Sequence, residues 1–129
     1  MSPGQYSRPG WLPRWGPALL MMTLIFAVSS LPTGSIPSWS GVVDFVFKKG
    51  GHMIGYGLLA LAILRGVGKE NPAAYRLAWV LALVYAITDE FHQRFVPGRG
   101  ATALDVLIDS GGAAITLAVH KYLMRSGGD

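Results

Sequence analysis

Residues 77–88 read LAWVLALVYAIT, a stretch that is apolar on every side of a helix. Residues 58–64, LLALAIL, have the same character. A helix on the surface of a soluble bundle shows a broad polar face at a period of 3.6 residues, and neither stretch has one. The sequence therefore favours helices surrounded by lipid over the alternative of a water-soluble four-helix bundle.

The composition of the chain agrees with a membrane protein. The 129 residues leave room for one small bundle. Charged residues make up 14% of the chain, whereas an average soluble domain has roughly 25%. Hydrophobic residues make up 51%, glycine is frequent with 17 residues, and cysteine is absent, which excludes disulfides and thiolate metal sites.

Four apolar blocks divide the chain. They run over about 15–31, 50–66, 71–91 and 102–123, and only the first is long enough to span a bilayer without including polar ends. We predict an all-α, integral membrane four-helix bundle, with four short transmembrane helices in two helical hairpins. The membrane domain then covers 15–123, between a cytoplasmic tail (1–14) and a C-terminal tail (124–129). A cleaved signal peptide over the first block is the alternative, but AVSSLP is a weak cleavage site.

Several residues indicate where helices begin, end and approach each other. Pro17 fits the first turn of the first helix, and Gly66 and Gly68 fit the end of the second. Asn71 and Thr102 are candidate N-caps, the latter with Asp105 at capping-box spacing. In the second block, a GxxxG pair at residues 51 and 55 predicts close packing of a neighbouring helix.

The distribution of positive charge predicts orientation. One side of the membrane would carry seven basic residues, namely Arg8, Arg14, Arg65, Lys69, Arg76, Lys121 and Arg125. The other would carry four, namely Lys48, Lys49, Arg94 and Arg99. We therefore expect a bacterial inner (cytoplasmic) membrane protein with both termini in the cytoplasm. The first and third connections then share the outer face.

Residues 88–109, TDEFHQRFVPGRGATALDVLID, carry four of the seven acidic residues between two apolar blocks. Ionisable groups beside lipid cost several kcal/mol unless they pair or face water, so they mark candidate functional sites. A four-span arrangement brings this stretch to the same end as a helical stripe from the second block. The candidate ligand-binding residues are Lys49, His52, Tyr56, Glu90, Gln93, Arg99, Asp105 and Asp109.

The chemistry of these residues leaves several roles open. His52 exchanges protons near neutral pH, and Glu90 or Asp105 fits a general acid or base, so these three are the catalytic candidates if the protein is an enzyme. Arg99 fits a phosphate or carboxylate. In the structural alternative, Lys49 or Arg99 simply neutralises Glu90 and Asp105. A proton or ion relay is the remaining alternative, and four short helices would need oligomers to form one.

Other site types lack support in the sequence. His52, His92, Glu90 and Asp105 have no recognised metal-ligand spacing, so we predict no metal and no cofactor. The serines show no nucleophile signature. The basic residues form no block suited to nucleic acid. The expected partners are membrane lipids.

The polar residues resemble those of the VanZ-like family of small bacterial membrane proteins. The resemblance covers about Lys48 to Val119. It rests on K-x-x-H-x-x-x-Y (residues 49–56), E-x-x-Q (90–93), PGR (97–99), Thr102, Asp105 and Gly112. Two positions depart from the family's pattern, because Lys48 replaces its usual acidic residue and Asp109 its usual Asn. Asp109 adds a charge deep in the fourth helix, which would need a proton or a partner such as Lys48.

The resemblance implies a cell-envelope role and an outward-facing polar site. The family's named member is linked to low-level resistance to the glycopeptide teicoplanin. The expected partners therefore also include a lipid-linked envelope precursor or a glycopeptide. An oligomer of the chain is compatible with these partners. The resemblance assigns no reaction.

Overall fold

The computed structural model describes residues 9–31, 41–98, 100 and 102–127, without the side chains of residues 44, 45 and 47. Over these residues the protein is all-helical. Its helices are α1 (Trp11–Ser29), α2 (Gly41–Val67), α3 (Ala74–Gln93) and α4 (Ala103–Ser126). The predicted all-α four-helix architecture is confirmed.

The helices alternate in direction and form two hairpins, α1–α2 and α3–α4. Helix α2 is central, because it packs against all three others, whereas α1 has little contact with α3. The end of α1 and the beginning of α2 lie beside the end of α3 and the beginning of α4. The helix ends that flank the first and third connections therefore lie at one end of the bundle, as predicted.

Small side chains face inward on α3 and large apolar ones face outward. Ala74, Ala78, Ala82 and Ala86, spaced four apart, are completely buried. By contrast, the exposed large residues of the same helix include Leu77, Val80, Leu81, Val84 and Ile87. An apolar exterior around a core of alanine and polar groups matches a lipid surrounding, in which small residues let helices pack closely.

The helices extend beyond the apolar blocks of the sequence. The second helix begins at Gly41 and not near Gly50, so it includes Lys48 and Lys49, and the first begins at Trp11. Among the described residues three helices, α1, α2 and α4, are long and apolar enough to cross a membrane. Of the apolar blocks of the sequence, only the first reaches that length without its polar ends. Apolar blocks that end at a charged residue are shorter than the helices, because a helix continues through an ionisable residue that has a partner. The remaining helix, α3, carries Arg76, Asp89, Glu90 and His92 near its ends.

Helix ends follow the predicted signals in part. Pro17 lies inside α1 and not in its first turn. Gly66 lies inside α2 and does not end it. Gly68, with a φ of 93°, follows α2, where only glycine adopts this backbone without strain. The Asn71 side chain accepts a hydrogen bond from the Ala73 amide (2.9 Å), so it caps the turn that leads into α3. Thr102 occupies the N-cap position of α4.

The close helix contact is not at the predicted GxxxG pair. A Cβ atom added at Gly51 would have no atom within 4 Å, and one at Gly55 would have only an ordinary contact at 3.9 Å. A Cβ at Gly112 of α4, in contrast, would lie 2.7–3.1 Å from the backbone of Met53. Helices α2 and α4 therefore approach each other closely at Gly112, about one helical turn beyond Asp109 of the polar cluster.

Candidate ligand-binding site at one end of the bundle

A polar cluster lies at the end of the bundle where α1 and α3 finish and where α4 begins. All four helices contribute to it. Its members are Ser29 of α1, Lys49, His52 and Tyr56 of α2, Asp89, Glu90 and Gln93 of α3, and Asp105 and Asp109 of α4.

Helices α2 and α4 are joined by two charged contacts in register. Lys49 forms an ion pair with Asp105, whose other carboxylate oxygen accepts a hydrogen bond from Thr102 (3.1 Å). One turn deeper, His52 Nδ1 lies 3.4 Å from Asp109 Oδ1. The predicted stripes on the two helices therefore face each other. The Thr102 hydroxyl binds this carboxylate and makes no cap to the helix backbone.

Asp89 has the most hydrogen bonds in the cluster. Its Oδ2 atom accepts them from the Tyr56 hydroxyl (3.0 Å), the Ser29 hydroxyl (3.0 Å) and the Gln93 amide (3.3 Å). Its Oδ1 atom is buried and has no donor among the described residues. One carboxylate thus links α1, α2 and α3, and these bonds fix its orientation.

Glu90 is a second buried carboxylate with an unsatisfied oxygen. Its Oε1 atom has no donor within the part of the chain that the structure describes. The nearby charges that act on it are those of Asp109, Asp89, Lys49 and Arg94. The structural alternative had Lys49 or Arg99 neutralising Glu90 and Asp105. The ion pair of Lys49 with Asp105 agrees with the second part of that alternative.

Burial separates the negative groups from the positive ones. Asp89, Glu90 and Asp109 are 3%, 6% and 4% exposed. The side chains of Lys49 and His52 remain 31% and 25% exposed. The three buried carboxylates therefore form the inner part of the cluster, which we call the acidic floor. Lys49 and His52 form its partly exposed edge, the basic rim.

The sequence model of the VanZ/LLP1 family matches residues 11–124, a range that covers all four helices. The chain belongs to the VanZ/LLP1 family. This confirms the resemblance in the polar residues. No curated protein and no solved structure matches the chain significantly.

The structure of this VanZ/LLP1 protein brings together seven of the eight candidate site residues. Arg99 lies outside the described residues. At the position where the sequence departs from the family's pattern, Asp109 faces His52. The expectation that Asp109 needs a partner is thus met by a residue of α2.

Two members of the site in this VanZ/LLP1 protein were not among the candidates. Asp89 links three helices through its hydrogen bonds, and Ser29 supplies one of its donors. Asp89 lies four residues before Gln93, so the shared helical stripe was a usable signal. Ser29 carried none, because it follows an apolar run.

His92 lies outside the cluster, beside α1. Its Nε2 atom is 2.9 Å from the Ser30 hydroxyl, and its ring stacks on Phe26 with centroids 4.4 Å apart. His92 therefore helps to hold α1 against α3 and is not available to the carboxylates.

Proposed function

We propose that this VanZ/LLP1 protein is a bacterial cell-envelope protein of the inner membrane that binds, or presents for modification, a polar headgroup linked to a lipid. The observation that carries the proposal is the buried Oε1 atom of Glu90, which has no donor among the described residues. An unsatisfied buried acceptor costs about 1–3 kcal/mol, so a ligand that donates a hydrogen bond there gains affinity.

The arrangement of charge favours a headgroup with two kinds of polar group. Lys49 on the exposed rim suits a phosphate, and Arg99 is a candidate for the same role. The acidic floor, in contrast, suits hydroxyl or ammonium groups, which donate to carboxylates. A phosphate attached to a sugar or an amine satisfies both, and lipid-linked envelope precursors have that chemistry. A link to glycopeptide susceptibility would follow if such a precursor is the ligand.

The location of the site suits a ligand with an acyl chain. The cluster lies at one end of the bundle, and the exterior of the adjoining helices is apolar. A lipid tail can therefore remain in the bilayer while its headgroup enters between the helix ends. We place this end on the outer face because of the distribution of basic residues.

Ligand-induced thermal stabilisation of the purified protein in a neutral detergent tests the proposal. The lipids are phosphatidylglycerol, phosphatidylethanolamine and diacylglycerol, and the variants are Glu90→Gln and the exposed control Glu70→Gln. We expect the two phospholipids to raise Tm in wild type and in Glu70→Gln, and to do so much less in Glu90→Gln. Equal stabilisation by diacylglycerol, or an unchanged response of Glu90→Gln, would refute headgroup binding at this site.

An intramembrane hydrolase or transferase is the second candidate. The same free oxygen of Glu90, close to the charge of Asp109, suits a group that accepts a proton during a reaction. Asp105 and His52 are the other candidates for acid and base. This function predicts a changed envelope-lipid profile in a deletion strain, restored by wild type but not by Glu90→Gln. An unchanged profile would leave binding as the function.

A purely structural network makes a different prediction. Replacing Glu90 would then reduce the amount of protein in the membrane in proportion to any loss of phenotype. Quantifying membrane accumulation beside the lipid profile separates this outcome from a functional one.

A further inference from the structure

One imidazole and two carboxylates from three different helices lie close together in the polar cluster. His52, Asp89 and Asp109 each offer a ligand atom, and these atoms all lie within 4.8 Å of one another. No pair among them has a recognised spacing along the sequence, which is why the sequence predicted no metal. Only the packing of α2, α3 and α4 brings them together.

We propose that these three residues bind a divalent transition-metal ion, with Zn²⁺ as the reference ion. Imidazole combined with carboxylate favours such ions over Mg²⁺ and Ca²⁺, which prefer oxygen ligands alone. Three protein ligands leave a fourth position open to water or to the polar headgroup of a ligand.

The distance between His52 and Asp109 fits two ligands of one ion. Metal–ligand bonds of about 2.0–2.1 Å at a tetrahedral angle place neighbouring ligand atoms about 3.3 Å apart. The separation of Nδ1 and Oδ1 in the structure is 3.4 Å, which is long for a direct hydrogen bond between them. The ligand atom of Asp89 lies within 4.8 Å of the other two, so binding of one ion must draw the three ligand atoms closer together.

The hydrogen bonds of Asp89 are those of an oriented metal ligand. Three donors converge on Oδ2 and leave the buried Oδ1 without one. In metal sites, such outer hydrogen bonds hold a carboxylate in position while its free oxygen binds the ion. The three donors come from Ser29, Tyr56 and Gln93, so they also tie the site to the packing of α1, α2 and α3.

The excess of buried negative charge in the cluster also supports metal binding. Asp89, Glu90 and Asp109 are all buried, whereas Lys49 is engaged by Asp105. Buried carboxylates are stable when they are paired or coordinate a metal. A divalent cation at the three ligands would neutralise two of these carboxylates and reduce the repulsion on the third.

Calorimetric titration of the full chain tests the proposal. The protein is purified in a neutral detergent, treated with EDTA, desalted and titrated with ZnCl₂ or MgCl₂ in the absence of added lipid. We expect one Zn²⁺ per chain, bound at least about tenfold more tightly than Mg²⁺. The absence of saturable Zn²⁺ binding, or equal affinity for the two ions, would overturn it.

Matched variants locate the ion. His52→Gln and Asp109→Asn should each weaken Zn²⁺ binding at least about tenfold. The control His120→Gln, whose imidazole contacts Tyr75 at the opposite end of the bundle, should leave it unchanged. Zn²⁺ affinity that is equal in His52→Gln and wild type would overturn the assignment.

A further variant covers the possibility that the first two disturb folding. Asp89→Asn keeps an oxygen for the three donors and replaces the free oxygen with an amide. It should retain the circular-dichroism spectrum of wild type and lose Zn²⁺ affinity, and retention of that affinity would also overturn the assignment.

The proposals of a metal site and of headgroup binding can be refuted independently of each other. Headgroup stabilisation is measured with EDTA present, and the Zn²⁺ titration without lipid. Loss of one signal with retention of the other identifies which of the two is wrong.

Discussion

Replacing Gly112 by alanine should separate α2 from α4 and destabilise the bundle. The added Cβ would lie 2.9 Å from Met53 Cα and 2.7 Å from its carbonyl oxygen, and both are backbone atoms that no rotamer change can move. Carbon atoms in favourable contact are about 3.5–4.0 Å apart, so the helices must move apart by roughly 0.5–1 Å.

The neighbouring glycine provides a matched control. Gly111 has no atom within 4 Å of an added Cβ, so Gly111→Ala introduces no clash. Both substitutions gain about 1 kcal/mol of helix propensity. That gain cancels when the two variants are compared, and the difference isolates the cost of overpacking, which is about 1–3 kcal/mol.

The free energy of unfolding in mixed micelles, followed by circular dichroism during titration with a denaturing detergent, measures this difference. We expect Gly112→Ala to be less stable than Gly111→Ala by about 1–3 kcal/mol. The movement should also weaken the contact between His52 and Asp109, because Asp109 lies one turn from Gly112. Equal stability of the two alanine variants would show that α2 and α4 do not make this backbone contact.

Two further predictions concern packing and the Asp89 network. Gly57→Ala brings a Cβ against the Thr116 side chain, which can move, so it should destabilise the bundle less than a backbone clash does. Adding Thr116→Ala should recover part of the lost stability. Strict additivity of the two substitutions in a double-mutant cycle would contradict the contact. Ser29→Ala removes a buried donor to Asp89 and should cost about 1 kcal/mol in the same unfolding assay. Thr23→Ala, which removes an exposed hydroxyl bonded within its own helix, is the control and should be nearly neutral, so equal effects of these two variants would argue against the Asp89 network.

The sequence was sufficient for much of the site because the relevant spacing is local. The i, i+3 and i+7 positions of Lys49, His52 and Tyr56 must share one side of any helix. Asp105 and Asp109 share a side of α4 for the same reason. Alternating short helices then bring the two stripes to one end, and the structure pairs them in register.

The sequence by itself thus determined four helices, their apolar character and the stripes on which the polar residues lie. Only the tertiary structure decided how each helix is rotated about its axis relative to its neighbours. That rotation lets Asp89 join three helices through its hydrogen bonds, and it places Gly112, and not Gly51 or Gly55, at the close contact of α2 and α4. Helical periodicity fixes which residues share a face, but the packing of alanines and aromatic rings between helices selects the face that turns inward.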